Sequence, residues 1–254
     1  MSNKLIQWPK AVYWDTQFNP VAGCKPCSPA CANCYAKALA DRFKVSFVPH
    51  KTTKQKPPRK GICFCGNFTD LFLDEVVDGQ NGLPKSLDII NSTLAKPTEA
   101  TYLWLTKRVE NMEYVLKVFG WQTLSNHYFG FTAENQEWYD KRYSEFKKIP
   151  TLFKGWLSAE PLLAPIDLGF EHVYPIEAMP FNWVVVGCES GKNRRPCKIE
   201  WIESIVEQCQ SHGVPVFVKQ IVLPSGKFTN KIDDFPKHLQ IRQVPWTSTH
   251  GKGN

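Results

Sequence analysis

Four of the nine cysteines in this chain fall between positions 24 and 34, in the stretch Asn19-Pro-Val-Ala-Gly-Cys24-Lys-Pro-Cys27-Ser-Pro-Ala-Cys31-Ala-Asn-Cys34-Tyr35. Thiolates held this closely in sequence suit soft metals. Two spacings are embedded: C-x3-C-x2-C through Cys27, Cys31 and Cys34, and C-x6-C-x2-C through Cys24, Cys31 and Cys34. Structural zinc takes four ligands, usually from two knuckles well separated in sequence. Here three residues separate the two C-x2-C pairs, which is cramped for two knuckles around one ion. A four-thiolate iron–sulfur cluster would serve electron transfer. A cluster held by three thiolates leaves one iron open to a small ligand, and C-x3-C-x2-C suits that arrangement best. The segment Tyr35–Phe43 that follows is rich in good helix formers. The last thiolates therefore fall at a helix N-terminus, where backbone N–H groups favour negative charge.

Such a loop needs a frame, and the rest of the chain alternates short apolar runs with longer mixed segments. The runs are Gly61–Cys65, Thr101–Leu105, His127–Thr132, Thr151–Leu157, Trp183–Gly187 and Val214–Val218. Several are nearly continuously apolar, as strands buried on both faces should be. Helices are expected over Leu83–Leu94, Arg108–Phe119, Glu137–Lys148 and Ile199–His212, with Val12–Val21 as the first strand. This rhythm predicts an α/β fold of about six to seven mostly parallel strands, open or rolled into a partial (β/α) barrel. It reads as one domain over residues 1–254. Pro49–Lys60, basic and proline-containing, reads as a loop. Residues 164–182, with Pro165, Pro175 and Pro180, read as an insertion, and the tail after residue 220 as less regular.

A hydrophobic share of 43% and a charged share of 22% are ordinary for a globular protein and argue against disorder, collagen and coiled coil. No run of about 18 apolar residues is present to span a membrane, and Met1–Pro9 lacks an apolar signal core. The expected compartment is the cytoplasm, where reduced thiols disfavour a disulfide framework and favour metal or redox chemistry. The formal charge of +7, from 31 basic against 24 acidic residues, is compatible with a polyanionic partner. Short basic clusters lie at Lys51–Lys60 and Lys192–Arg195.

Beyond the cysteines, short motifs follow in order: Asn19-Pro20 with Gly23-Cys24, Cys31-x-x-Cys34-Tyr35, Phe68-Thr-Asp70-Leu-Phe72, Trp104-Leu-Thr-Lys107-Arg108 and Glu134-Asn135-Gln136. Then come Ser158-Ala-Glu160-Pro161-Leu162-Leu163, Gly187-Cys-Glu189-Ser190-Gly191, Arg195-Pro196 and Phe217-Val-Lys219-Gln220. With these motifs, from about Trp14 to Gln220, the chain resembles the radical S-adenosylmethionine superfamily, and more closely a phage-associated three-cysteine branch of it. The resemblance implies a partial barrel whose strand ends converge on a 4Fe-4S cluster. The open iron chelates S-adenosylmethionine, and an electron from the cluster cleaves the sulfonium to a 5′-deoxyadenosyl radical.

The resemblance also implies roles for individual residues. Cys31 and Cys34 hold iron; the branch pattern selects Cys24 as third ligand, whereas the wider superfamily spacing selects Cys27. Tyr35, beside the last cysteine, is a cofactor-binding candidate; Asn67 and Asp70 lie where the methionyl amino group is bound, Thr132, Glu134 and Asn135 where the ribose is bound, and Ser158 at the next strand end. Lys107 and Arg108 are cations suited to the cofactor carboxylate or a substrate phosphate. Glu160, Glu189 and Lys219 are the candidate catalytic groups. Kinship with phage proteins points to DNA base hypermodification that evades restriction, with isomerisation of a glycine-modified thymidine from an N-linked to a C-linked form as the specific expectation. The partners implied are DNA or a modified nucleotide, which duplex DNA would have to present by base flipping, and an electron donor such as a flavodoxin. The setting would be the host cytoplasm if the protein is phage-encoded.

Plainer readings stand beside these. Glu160 and Glu189 can cap helices or pair with a basic residue, and Lys107-Arg108 can be a solvated helix start. Cys63 and Cys65, two apart on a strand, face the same side and read as core packing, as do Cys188, Cys197 and Cys209. Trp138 and Tyr139 can stack on a base or fill the core. The histidines form no ligand pattern. At the level of function, the alternatives are a radical enzyme acting on another nucleotide, a tRNA or a peptide, and a zinc-stabilised nucleic-acid-binding module.

Overall fold

In a computed structural model, which describes residues 6–54, 56–120, 124–150, 153–172, 180–191 and 193–246, the chain divides into two compact units. One comprises Trp14–Phe131 and Lys141–Lys154 and carries the cysteine loop. The other comprises Met1–Tyr13, Thr132–Asp140 and Gly155–Asn254 and carries Glu134, Glu160, Glu189 and Lys219. They are called here the cysteine unit and the carboxylate unit.

In the cysteine unit four strands run parallel in the order β4-β3-β2-β1. These are β1 (Thr16–Phe18), β2 (Ile62–Cys65), β3 (Thr101–Thr106) and β4 (His127–Thr132). Every residue of β2 and β4 is buried, as the continuous apolar runs require. Two of these residues are polar, His127 and Thr132; His127 lies between the rings of Tyr102, Trp104 and Phe129. The Trp104 indole N–H donates to Nδ1 of His127 at 2.9 Å. Because indole can only donate, Nδ1 is the unprotonated nitrogen, and Nε2–H faces the Thr93 hydroxyl at 3.3 Å. Burial pushes the His127 pKa down to about 3, so the ring is neutral and structural. The helices are α1 (Tyr35–Phe43), α2 (Asp74–Asp78), α3 (Ser86–Leu94) and α4 (Val109–Val118).

In the carboxylate unit β5 (Lys154–Ala159), β6 (Trp183–Gly187) and β7 (Val216–Val222) are parallel, and β8 (Phe228–Thr229) returns antiparallel to β7. Helix α6 (Ile199–Ser211) buries Ile202, Ile205, Val206 and Cys209, the one-sided stripe of an amphipathic helix. Helix α5 (Gln136–Phe146) follows the end of β4 in the chain. Tyr13, Trp156, Trp183 and Phe217 form an aromatic core, with Tyr13 edge-on to Trp183 at 5.0 Å and Trp156 stacked on Trp183 at 5.3 Å. Neither run of strands closes on itself.

The α/β class with mostly parallel strands is therefore what the structure shows. Helix boundaries fall within a few residues of expectation; α3 starts late because Pro84 and Lys85 precede it in extended backbone. Three regions differ. The first expected strand is broken: Thr16–Phe18 joins the sheet, while Val21–Ala22 pairs antiparallel with His50–Lys51, inside the segment expected to be a loop. Strands β5 and β7 begin later and run on through polar Ser158 and through Lys219-Gln220, because the ladder rewards backbone pairing whatever the side chain. The tail after residue 220 is tied down, with Gln243–Val244 paired to Ile6–Gln7. Its anchor is Arg242, 2% exposed, between the rings of Phe217 and Phe235 and donating to Asn230 O at 2.6 Å. Thr151, Leu152, Lys192, residues 173–179 of the expected insertion and the last residues of the tail, 247–254, lie outside the described residues.

Candidate functional site: a cysteine loop and a set of strand-end carboxylates

The cysteine loop is fastened at its base. Gly23, at φ +86°, has the backbone of Val48 so close that a Cβ would lie 2.3 Å from its carbonyl oxygen, so only glycine fits. The Gly23 N–H donates to Phe68 O at 3.1 Å, the Thr69 hydroxyl donates to Gly23 O at 2.6 Å, and Cys24 N donates to Phe47 O at 3.1 Å. A 3-10 turn at Pro29–Cys31 then delivers Cys34 to the N-cap of α1, where no side chain caps the helix. All four thiols are half-buried, whereas Cys63, Cys65, Cys188, Cys197 and Cys209 are buried in the packing, as read from the sequence.

The loop's electrostatics set the four thiols apart. A hydrogen bond from the Cys27 thiol, helped by the charge of Lys107, lowers the Cys31 pKa to about 4 against the opposing effect of burial. Cys27, the donor in that pair, is pushed far up. Burial and the Asp70 charge raise Cys24 to about 11, and its Sγ faces Lys25 O at 3.7 Å.

Asp70, 7% exposed, organises the strand ends beside the loop. It accepts from Phe72 N at 3.0 Å, Thr106 Oγ1 at 2.8 Å, Lys107 N at 3.0 Å and Arg108 Nη1 at 3.2 Å. A carboxylate has about four lone-pair positions, and four donors occupy them. Asp70 thus acts as a clamp, and the Arg108 guanidinium it holds also donates to Lys25 O at 3.0 Å, inside the cysteine loop. The expected solvated helix start at Lys107-Arg108 is not what forms: the Arg108 side chain is 12% exposed and ion-paired. The Tyr35 hydroxyl donates to Asn67 through its backbone and side-chain oxygens, joining α1 to the end of β2.

In the carboxylate unit the backbone laces the strand ends together. Ala133 N donates to Ser158 O, Leu162 N to Gly187 O, Leu163 N to Glu134 O and Cys188 N to Gln220 O, all within 2.8–3.1 Å. Glu134, Thr132, Ser158 and Glu189 are each at most 4% exposed. Glu189 is bound by Arg195, whose N donates at 2.9 Å and Nε at 3.1 Å to Oε2, while Nη2 reaches Oε1. That is the plainer reading of Glu189, an acid held by an arginine, and the pairing raises the Arg195 pKa. Glu160 Oε1 lies 3.1 Å from Lys219 Nζ, its Oε2 accepts from Ser158 Oγ at 3.4 Å, and Lys219 sits 5.5 Å above the Tyr13 ring. Gly187 leaves room for this pair, since a Cβ there would come within 3.2 Å of Glu160 Oε1. Asn135 Oδ1 accepts from Trp138 N at 3.0 Å, capping α5. Tyr139 is buried with its hydroxyl donating to Leu168 O at 2.8 Å, so the base-stacking reading of that ring is corrected.

Sequence reasoning missed Thr106, whose hydroxyl donates to Asp70 and accepts from Arg108 N at 2.8 Å. It also missed Arg142, 2% exposed, whose Nε donates to Lys107 O at 3.2 Å. The available signal was an arginine on the apolar face of α5.

The donor set fits a thiophilic centre. Four thiols share one loop, one of them is held as a thiolate, and Lys107 and Arg108 offset the negative charge that ligation concentrates. Among the described residues, no three His, Cys, Asp or Glu side chains are drawn together in coordination geometry. No helix among them is long and apolar enough to cross a membrane.

The fold and these two groups define an α/β protein with a thiol loop and a paired-carboxylate cluster. Over residues 6–237 the chain matches, and belongs to, the family described as Protein of unknown function (DUF5131). No curated protein and no solved structure matches it.

Proposed function

We propose that this protein is a radical S-adenosylmethionine enzyme acting in the cytoplasm on a nucleotide or DNA base, with the partial-barrel arrangement of that superfamily. The observation that carries the reading is the loop itself: four half-buried thiols within eleven residues, set apart from five packed ones, with the Arg108 guanidinium bonded to the loop at Lys25 O. Cys31 and Cys34 would hold a 4Fe-4S cluster, with Cys24 or Cys27 as third ligand. The bound cluster and S-adenosylmethionine would supply a 5′-deoxyadenosyl radical, with the electron coming from a donor such as a flavodoxin. Asp70 holds Lys107 and Arg108 in place as cations for a carboxylate or phosphate, and Tyr35 ties α1 to Asn67. Thr132, Glu134, Asn135 and Ser158 offer polar atoms at strand ends for a ribose. Glu160 and Lys219, an acid and a base held at 3.1 Å, can exchange a proton with a substrate amine or carbonyl, and Glu189 is fixed for a structural or orienting part. The substrate proposed is a glycine-modified thymidine, isomerised from an N-linked to a C-linked form.

Anaerobic reconstitution tests this. The expected result is a brown protein with about four irons that forms 5′-deoxyadenosine with dithionite and cofactor, and alters nucleosides of substrate DNA by mass. A colourless protein with one zinc would sink the radical reading in favour of a zinc-stabilised nucleic-acid module. Unchanged nucleosides with normal cofactor cleavage would remove this substrate. The third ligand follows from iron content: Cys24→Ala and Cys27→Ala should differ, one keeping a full cluster and the other losing it. Equal retention in both would refute a dedicated third ligand.

A further inference from the structure

The chain's excess charge is not spread over it. Residues 35–60 hold eight of the 31 Lys and Arg residues and one of the 24 Asp and Glu, so the +7 of the whole chain equals the charge of this segment and the rest balances. The one acid, Asp41, is paired with Lys37 at 2.7 Å. Arg59 is used internally, donating to the carbonyls of Ser92, Thr93 and Lys96. That leaves Arg42, Lys44, Lys51, Lys54, Lys56 and Lys60, all exposed.

The same stretch also exposes large apolar side chains. Val48 at 68%, Phe43 at 67% and Val45 at 58% are the most exposed large hydrophobic residues among those described, ahead of Tyr114 and Val118. Three such residues within six positions, flanked by cations, call for a partner rather than for solvent. The Arg42 guanidinium lies 5.9 Å from the centroid of the Phe43 ring. Lys44, the C-cap of α1, sits at φ 54°, a left-handed position where glycine is the favoured residue.

This ridge is anchored to the cysteine loop. Phe47 O accepts from Cys24 N, His50 and Lys51 pair with Ala22 and Val21, and Thr52 N donates to Pro20 O at 3.0 Å. We infer that Arg42–Lys54 form a docking surface for single-stranded nucleic acid, with the cations tracking phosphates and Phe43 offering a face for a base. A row of cations beside an exposed aromatic is what sequence-tolerant single-strand binding uses. The inference deepens the nucleic-acid reading above and rests on it for the purpose of the contact. The contact itself stands on charge and exposure.

The test is fluorescence anisotropy of a labelled, mixed-sequence single-stranded oligodeoxynucleotide with the full chain across a salt series. Replacing Arg42, Lys44, Lys51 and Lys54 together, as Arg42→Ala, Lys44→Gly, Lys51→Ala and Lys54→Ala, should weaken binding more than tenfold. It should also make the log-affinity against log-salt slope shallower by up to about 3, at roughly 0.7 per phosphate contact. Lys44→Gly alone should lower the slope by about 0.7 while leaving the fold at least as stable. Phe43→Ala should cost roughly five- to a hundredfold. A control set, Lys117→Ala, Lys147→Ala, Lys231→Ala and Lys237→Ala, should change little. Equal losses in the control set, unchanged affinity in the ridge variants, or no binding by the parent protein would overturn the inference. Iron content and 5′-deoxyadenosine formation are read on the same samples. A protein that makes 5′-deoxyadenosine but does not bind the oligonucleotide sinks the surface and not the chemistry. One that binds but holds no iron does the reverse.

Discussion

The cysteine unit and the carboxylate unit both carry buried charged residues in or just after their strands, and they treat them in opposite ways. In the cysteine unit the charges serve the frame. Asp70 spends its acceptor positions on four donors, and the thiols beside it remain half-buried. In the carboxylate unit the backbone is the frame, through bonds such as Ala133 to Ser158 and Cys188 to Gln220. Its Glu160–Lys219 pair is braced by Ser158 Oγ at 3.4 Å from Glu160 and by the Tyr13 ring 5.5 Å from Lys219 Nζ, with the Lys219 side chain 23% exposed. A carboxylate whose acceptor positions are all filled holds geometry, whereas an ion pair with a partly exposed lysine remains within reach of solvent or a ligand.

The contrast is broken most severely at Asp70. Asp70→Ala strands the half-buried Arg108 guanidinium and releases the Lys107 and Phe72 amides. The expected loss is about 3–5 kcal/mol of stability, as for a buried pair cut on one side, measured by denaturant unfolding. A loss below about 1 kcal/mol would return Asp70 to the ligand-binding residues.

A smaller effect tests whether the cysteine unit is rigid at its core. The His127 pKa is lowered in the folded state, to about 3, so the unfolded chain takes up the proton first. Stability is therefore full above the ordinary histidine value of about 6.5 and falls as pH drops towards about 3. The expected loss is roughly 2 kcal/mol at pH 5, at about 1.4 kcal/mol per pH unit. It should be absent from His127→Gln, whose side chain does not titrate. The same slope in that variant would place the acid sensitivity elsewhere.

The smallest stability change, with the largest disparity between folding and function, is expected at Lys219. Lys219→Met removes a partly exposed partner from Glu160, whose side chain is 10% exposed, and should cost about 1–2 kcal/mol, less than cutting the more deeply enclosed Asp70 cluster. Substrate conversion in the reconstituted protein should fall by more than tenfold while cofactor cleavage without substrate persists. Equal, small effects on both would make Glu160 and Lys219 structural.

Much of the frame was legible because its signals are local. Continuous apolar runs such as His127–Thr132 and the stripe along Ile199–Ser211 declare their elements through periodicity, and their bounds match closely. The thiol loop was legible for the same reason, since its spacing lies within eleven residues. Where strands end was harder, because Ser158 and Lys219-Gln220 look like loop residues while their backbones remain paired. The tail was illegible in principle: it is held by Arg242 reaching Asn230 and by Gln243–Val244 pairing with Ile6–Gln7 across nearly the whole chain.

By itself, then, the amino-acid order determined the α/β class, the four grouped thiols and the five packed ones. Each depends on residue type and near spacing, which the chain carries in one dimension. Only the tertiary structure decided that Asp70 is a clamp, that Glu189 belongs to Arg195, and that Glu160 faces Lys219. It also decided that the exposed ridge of cations and apolar side chains lies against the cysteine loop. A carboxylate's part is set by how many donors reach it and how much water remains. Donors that lie 36–38 residues away in the chain, as Thr106 and Arg108 do from Asp70, become neighbours only when the strands pair.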